Sequence, residues 1–217
     1  MRMVGTAQEP DLAFLPWDTP LEEWPEDLVV ALPRGISRHI VRFVRLNGIV
    51  YAIKEAEFEL VEREYNLLGE LQRRAVPCVE PVGTVSDRSD LHGEALPCAL
   101  ITKHLPFSLP YRALFSSSLR DETADRLLDA LALLLVQLHL IGFSWNDVSL
   151  SNTLFLRDAG SFAAYLVDAE TGELHPALSI GQREYDLETA ATNVAGELMD
   201  LAAGGRLQEG IDPVVTG

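Results

Sequence analysis

The chain has 217 residues, 47% hydrophobic and 23% charged, which suits one domain, or one domain of two lobes, and excludes overall disorder and a collagenous or disulfide-stapled fold. Asp and Glu number 33 against 17 Lys and Arg, a formal charge of −16 that speaks against a generic nucleic-acid binder. Cys78 and Cys98 form no CxxC pair, no stretch reaches the ~20 apolar residues of a membrane span, and the start lacks a signal-peptide core, so a soluble protein of the reducing cytoplasm is expected.

Residues 1–27 set Arg2 against seven acids, with Phe14, Leu15, Trp17 and Trp24 among Pro16, Pro20 and Pro25. This reads as an acidic, aromatic and irregular arm docked on a body, with a protein-partner surface as the sharper alternative. Residues 28–54 reverse the sign, with Arg34, Arg38, Arg42, Arg45 and Lys54 and no acid. HIVRFVRL, then Asn47-Gly48, then IVYAIK predicts a β-hairpin. LVVALP before it predicts a third strand of a meander. Period-2 alternation puts Val50, Ala52 and Lys54 on one face.

Glu55 to Ala75 has the spacing of a helix, ended by Pro77 and Pro81. VEPVGTV and PCALITK predict two further strands, joined by a polar loop. Residues 105–120 read as loop and short helix. Asp121 to Ile141 predicts a long helix, leucine-rich and buried on most sides. GFSWNDVSLSNTLF follows as loop running into strand, TLFLR and AAYLVDA form a second hairpin, and a last helix is expected over Tyr185 to Ala203.

Four features fall in a telling order. Lys54 ends the strand YAIK, and it is one of only two lysines in the chain, the other being Lys103. Glu64 follows ten residues later on the predicted helix. Asp147 and Asn152 stand five apart in WNDVSLSN, just past the buried helix. Asp168 ends the apolar strand of YLVDAE. Taken alone, each has a plain reading: a solvated strand-end charge, a solvated helix charge, a turn with its cap, a turn residue.

The ordered set resembles the protein-kinase-like superfamily, over roughly Leu28 to Ala203, with YAIK for VAIK, WNDVSLSN for HRDxxxxN and DAE for DFG. The pattern REYNLL, the prolines flanking Cys78-Val79-Glu80, and LHLIGFSWND look most like its bacterial lipopolysaccharide-kinase-like branch, which has cytoplasmic members. The resemblance implies an α+β bilobal fold. Its parts would be the arm 1–27, an N-lobe 28–104 with a small antiparallel sheet and one helix, and a short, mainly helical C-lobe 105–217. It implies ATP and Mg²⁺ as cofactors. A nucleoside triphosphate carries about four negative charges, and its γ-phosphoryl must be held in line with an acceptor.

In that reading Lys54 clamps the α- and β-phosphates and Glu64 holds the lysine, with Glu62 as runner-up. Asp147 receives the acceptor's proton. Asn152 and Asp168 bind the metal, as hard oxygen donors suited to a hard cation. The segment Arg34 to Arg38 takes the place of the glycine-rich loop; Gly35 is its one glycine, and Arg38 or backbone N–H groups stand in for missing contacts. Ala52 belongs to the same nucleotide surface as Lys54. Thr102 holds the gatekeeper position, and main-chain groups of Lys103 to Leu105 would meet the adenine. Asp186 resembles the acid that braces the catalytic loop from below. Trp145 is expected to pack under that loop, and His139 to be a hydrogen-bonded core histidine.

Departures narrow the substrate. Asn146 replaces the arginine that pairs with a phosphorylated loop in many protein kinases. Ser149 stands where protein kinases place a lysine. Asp168 and Asp186 are eighteen positions apart, with no APE motif between them. The expected partner is therefore ATP with a small-molecule, sugar or lipid-linked sugar acceptor, without nucleic acid. Two alternatives accompany this reading. One is a pseudokinase-like nucleotide-binding or regulatory module, suggested by the degenerate loop, Ser149 and Glu170. The other is nucleotidyl transfer to protein.

Overall fold

The structure, a computed structural model, describes residues 1–32, 38–115, 121–158 and 161–203. The chain divides into two compact units.

The first unit holds residues 1–32, the chain from Ser37 to Arg73, and Val79 to Pro106. Its strands are β1 (Arg2–Val4), β2 (Val41–Leu46), β3 (Ile49–Ala56), β4 (Glu80–Ser86), the short pair β5 (Arg88–Ser89) and β6 (Ala95–Leu96), and β7 (Cys98–Lys103). Its helix is α1 (Phe58–Arg73). Five strands form one antiparallel sheet in the order β1-β4-β7-β3-β2. The predicted hairpin is β2–β3, and its turn places Asn47 at φ 50° and Gly48 at φ 83°, the positive-φ pair that an Asn-Gly turn supplies.

The expected meander is not complete. Residues 28–32 contribute one bridge, Val29 to Val44, and one bond, Val30 N–H to Phe43 O at 2.7 Å. Pro33 follows at once and has no N–H to extend a ladder. The fifth strand is instead β1, from the arm expected to be irregular, pairing Arg2 with Ser86 and Val4 with Thr84.

The two faces of this sheet differ. On one, Tyr51, Ile53, Ala99 and Ile101 join Leu12, Leu15, Trp17, Leu21 and Trp24 in a buried core. The arm therefore docks as expected, with Trp17 edge-on to Trp24 at 5.4 Å. Burying these large side chains contributes about 1.5–3 kcal/mol each, enough to hold an irregular segment. A buried ion pair, Arg88 Nη1 to Glu55 Oε1 at 2.6 Å, fastens it. Arg88 also donates to Trp17 O at 3.0 Å and Thr19 O at 2.8 Å, and Glu55 Oε1 accepts the Leu21 N–H at 3.1 Å. On the other face, opposed cross-strand pairs set Ala52 beside Thr102 and Lys54 beside Leu100. Helix α1 packs on β3, β4 and β7 through Val61, Leu68 and Leu71.

The second unit holds Arg74 to Cys78 and the described residues from Phe107 onward. Its elements are β8 (Leu109–Pro110), α2 (Tyr111–Phe115), α3 (Asp121–Leu140), β9 (Phe143–Ser144), β10 (Thr153–Asp158), β11 (Ser161–Leu166), β12 (Glu173–Leu174) and α4 (Ile180–Ala203). Strands β10 and β11 are the second predicted hairpin, and β8 adds to β10. Helix α3 packs on β11 and β9 through Leu127, Leu131, Leu134, Leu135 and Leu138. It is not buried on most sides, because Leu133, Val136 and Leu140 are exposed.

Gly142 ends α3 at φ 83°, where a Cβ would also collide with the His175 carbonyl. Helix α4 starts five residues earlier than expected. Ser179 Oγ accepts the Gln182 N–H at 3.2 Å while Gln182 Oε1 accepts the Ser179 N–H at 2.9 Å, a reciprocal capping box.

Candidate active site

In the first unit, Lys54 Nζ meets Glu64 Oε2 at 2.5 Å. The side chains are 12% and 2% exposed, so this is a buried pair, desolvated and geometrically fixed. Lys54 leaves the sheet on the α1 face, and Glu64 shares the inward stripe of α1 with Val61 and Leu68. Glu62, the runner-up, is exposed. Ala52 and the buried Thr102 are direct cross-strand partners on the same face.

Lys103 points to the opposite face. Its Nζ binds Glu80 at 2.9 Å and Glu9 at 3.3 Å, so only its main chain remains on the expected nucleotide side. The chain then turns with His104 N–H on Val50 O at 2.8 Å, leading to the half-buried Leu105. Arg38 is exposed. Arg34 and Gly35, the rest of the expected phosphate loop, lie outside the described residues.

In the second unit, Asn152 reaches back to Asp147. Its Nδ2 donates to Asp147 O at 3.0 Å and to Asp147 Oδ2 at 2.9 Å. The amide is thereby oriented, with Oδ1 as its other end. The Asn152 carbonyl accepts the Val167 N–H at 3.0 Å, which joins Asn152 to the residue before Asp168. Asp168 Oδ1 accepts the Glu170 N–H at 3.0 Å, and carboxylate oxygens of Asp168 and Glu170 lie within 4.8 Å of each other. An oriented amide oxygen and two carboxylates are the hard donors that Mg²⁺ prefers. The residues present therefore fit the ion that the resemblance implies.

The loop between these residues is held by α4. Asp186, fully buried, accepts N–H groups of Trp145 at 3.0 Å and Asn146 at 2.7 Å, and lies 2.9 Å from His139 Nε2. Asn193 Nδ2 donates to Val148 O at 3.1 Å and to Asp147 Oδ1 at 3.4 Å. Glu197 accepts the Leu150 and Ser151 N–H groups, both at 2.8 Å. Asp186 was expected from the motif order; Asn193 and Glu197 were not. Their spacing, seven and then four residues after Asp186, keeps all three on one helix face and is the signal that could have found them.

Trp145 is buried as expected, and its Nε1 also donates to Asp168 O at 2.9 Å. Ser149 is buried, with Oγ accepting the Asn152 N–H at 3.1 Å and its carbonyl accepting the Thr153 hydroxyl at 2.8 Å. The position where protein kinases place a lysine is here an inward loop cap.

A sheet unit with one buried Lys–Glu pair, followed by an Asp/Asn loop braced by a helix, defines a kinase-like phosphotransferase. The chain belongs to the phosphotransferase enzyme family (APH), which matches residues 29–198. Its fold is shared with a solved structure of WaaP in complex with acyl carrier protein, with a TM-score of 0.60 at 18% identity over 90% of this chain and 82% of that one. No curated protein matches the chain. The α+β kinase-like phosphotransferase fold thus agrees with the expectation from the motifs. The protein is an enzyme of the ATP-dependent phosphotransferase class, acting on a small molecule or sugar.

Proposed function

We propose that the enzyme transfers the γ-phosphoryl group of Mg·ATP to a hydroxyl of a small molecule, sugar or lipid-linked sugar. The acceptor oxygen attacks the γ-phosphorus as Asp147 receives its proton, the bond to the β-phosphate oxygen breaks, and ADP leaves. Lys54, held by Glu64, supplies the positive charge for the α- and β-phosphates. Asn152 and Asp168 would hold Mg²⁺, which when bound neutralises phosphate charge. Ala52, Thr102 and the main chain of Lys103 to Leu105 would line the nucleotide, and Arg38 would add charge for the phosphates.

One observation carries this reading best. The Asn152 amide nitrogen is bonded to both the carbonyl and the carboxylate of Asp147. The proposed base and the proposed metal ligand are thus set by one another, an arrangement that a surface turn does not need. The short interval from Asp168 to the start of α4 at Ile180 leaves little chain for docking a peptide and supports a small acceptor.

Calorimetry with ATP, with and without Mg²⁺, tests the nucleotide reading: Mg²⁺ is expected to tighten binding, and Asp168→Ala to remove the gain. Absence of any binding at millimolar Mg·ATP overturns it. Turnover against an acceptor panel then separates transfer from a regulatory module, with Asp147→Asn expected to lose phosphorylation. Mass spectrometry of products separates phosphoryl from nucleotidyl transfer.

The WaaP structure contains an acyl carrier protein. For this chain we place a protein-partner surface on residues 1–27, where Glu22, Glu23, Glu26 and Asp27 are exposed although the aromatics beside them are buried. Calorimetric titration with acyl carrier protein tests this surface: binding whose affinity Glu22→Lys with Glu26→Lys changes supports it, and no binding, or binding the double variant leaves unchanged, overturns it. A cytoplasmic location accords with two cysteines, Cys78 and Cys98, that are not joined in a disulfide. Among the described residues, no helix is long and apolar enough to cross a membrane.

A further inference from the structure

Three hydrogen bonds tie the loop at 144–147 to the turn that follows Asp168. Trp145 Nε1 donates to Asp168 O at 2.9 Å, Thr171 Oγ1 donates to Trp145 O at 2.9 Å, and Asn146 Nδ2 donates to Thr171 O at 3.0 Å. Asn146 is the centre of this lacing. The other end of its amide accepts the Ser144 hydroxyl at 2.7 Å, and its backbone N–H donates to Asp186 Oδ1 at 2.7 Å. Its φ is 65°, in the left-handed region that asparagine enters more readily than most non-glycine residues. Both amide ends and the N–H are engaged, and the backbone is held in a conformation that few side chains tolerate.

The turn matters because Asp168 opens it. Asp168 Oδ1 is bonded to the Glu170 N–H inside the turn, so the carboxylate moves with the turn backbone. Mg²⁺ demands near-ideal octahedral placement of its oxygens, so a small rotation of that backbone would degrade the site. From Asp186 the line runs through Asn146 to Thr171 O, and it fixes the turn from the buried floor of the unit.

We infer that Asn146 is a positioning residue for the cation: it locks the Asp168 turn in its metal-binding geometry permanently, with no separate ordering step. The inference rests on the reading of Asp168 as a metal ligand. Ser144 and Thr171 are its accessories, one orienting the amide and the other adding a second stitch. The role differs from that of a helix-braced loop residue alone, because its effect is linked to the metal and not to the nucleotide.

The test measures the factor by which MgCl₂ tightens binding of a non-hydrolysable ATP analogue, by calorimetry on the full chain. Asn146→Gly keeps the left-handed backbone and its N–H but removes both amide bonds. It is expected to reduce the Mg²⁺-linked factor by about tenfold, while metal-free affinity stays within about twofold of wild type. An unchanged factor, or equal loss with and without Mg²⁺, overturns the inference. Asp168→Asn is measured beside it. If that variant also keeps the full Mg²⁺ gain, the metal reading of Asp168 fails and the inference falls with it; if only Asn146→Gly keeps the gain, the inference alone fails. Should Asn146→Gly not fold, Ser144→Ala is expected to lower the same factor by about threefold, and no change there overturns the inference.

Discussion

Asp186 Oδ1 accepts the backbone N–H of Asn146 at 2.7 Å, across forty residues of sequence. This bond begins a ladder in which one face of α4 holds the loop from Trp145 to Ser151 at three levels. Asp186 takes the first N–H groups, Asn193 the middle carbonyl, and Glu197 the last N–H groups. A loop that must fix Asp147 and Asn152 has little regular structure of its own, so its backbone groups need outside partners. Removing Asp186 orphans the buried Trp145 N–H and the half-buried Asn146 N–H, and it leaves His139 without this partner. Asp186→Ala is expected to cost about 3–5 kcal/mol. At ~2–4 °C per kcal/mol for a chain of this size, the melting temperature should fall by roughly 10 °C or more. A melting point within about 2 °C of wild type in differential scanning calorimetry would show that the ladder's first rung is dispensable.

Asn193 touches Asp147 but no group proposed for the nucleotide. Asn193→Ala should therefore lower kcat while sparing ATP binding. The loss of one donor to a carboxylate and one to a carbonyl is of order 1.5 kcal/mol, or about tenfold in kcat, with KM for ATP held within about twofold. Steady-state kinetics with ATP checks this, first as ATP hydrolysis and then with the acceptor. A rise in KM with unchanged kcat would assign Asn193 to the nucleotide side.

The Lys54–Glu64 pair separates stability from function. Lys54→Met leaves a 2%-exposed carboxylate beside an apolar side chain, which should destabilise the protein by about 3 kcal/mol. Lys54→Met with Glu64→Gln should recover most of that stability, because the amide is neutral. Neither variant should bind ATP detectably if the lysine is the phosphate clamp. Thermal unfolding and ATP titration on the single and double variants give the two readouts. A double variant that regains nucleotide affinity would remove Lys54 from the site.

Legibility in the sequence followed the range of the interaction. Lys54 with Glu64 was expected from the order of the motifs, with Glu62 as runner-up, and the strand end and the helix after it are close enough in sequence for the pair to form. Asp147 with Asn152 was expected from the same motif order, and the two stand only five positions apart in one loop. The Asn-Gly hairpin carried its own turn chemistry. Strand β1 was not readable: three residues give no alternation to detect, and their pairing with β4 is set by the sheet edge. Leu28 to Leu32 is a continuous apolar run that reads as a strand, yet it contributes only one bridge and one hydrogen bond to the sheet. The capping box at Ser179 and Gln182 lay in plain sequence just ahead of the stretch read as helix, and it sets the start of α4 five residues earlier. Asn193 and Glu197 carry polar side chains on a surface-like helix, and only the packed loop shows what they hold.

Burial pushes the Cys78 thiol up to about 12, from an ordinary 9.0, with desolvation as the cause. The thiolate is the reactive form, so native Cys78 should alkylate far more slowly than the same residue in the unfolded chain at pH 8. The same shift has a consequence for stability. The unfolded chain releases this proton near pH 9 while the folded chain retains it, so the unfolded state binds fewer protons above that point. The contribution is therefore complete below about pH 9 and is lost progressively as pH rises toward 12. Cys78→Ala should lower stability slightly at pH 7, by about 1 kcal/mol for the missing sulfur, but flatten the decline above pH 9. Urea unfolding of both proteins at pH 7, 9 and 10.5 measures this, at roughly one point below and two within the titration range. Parallel declines for the two would mean that the Cys78 thiol ionises in the folded protein as readily as in the unfolded one.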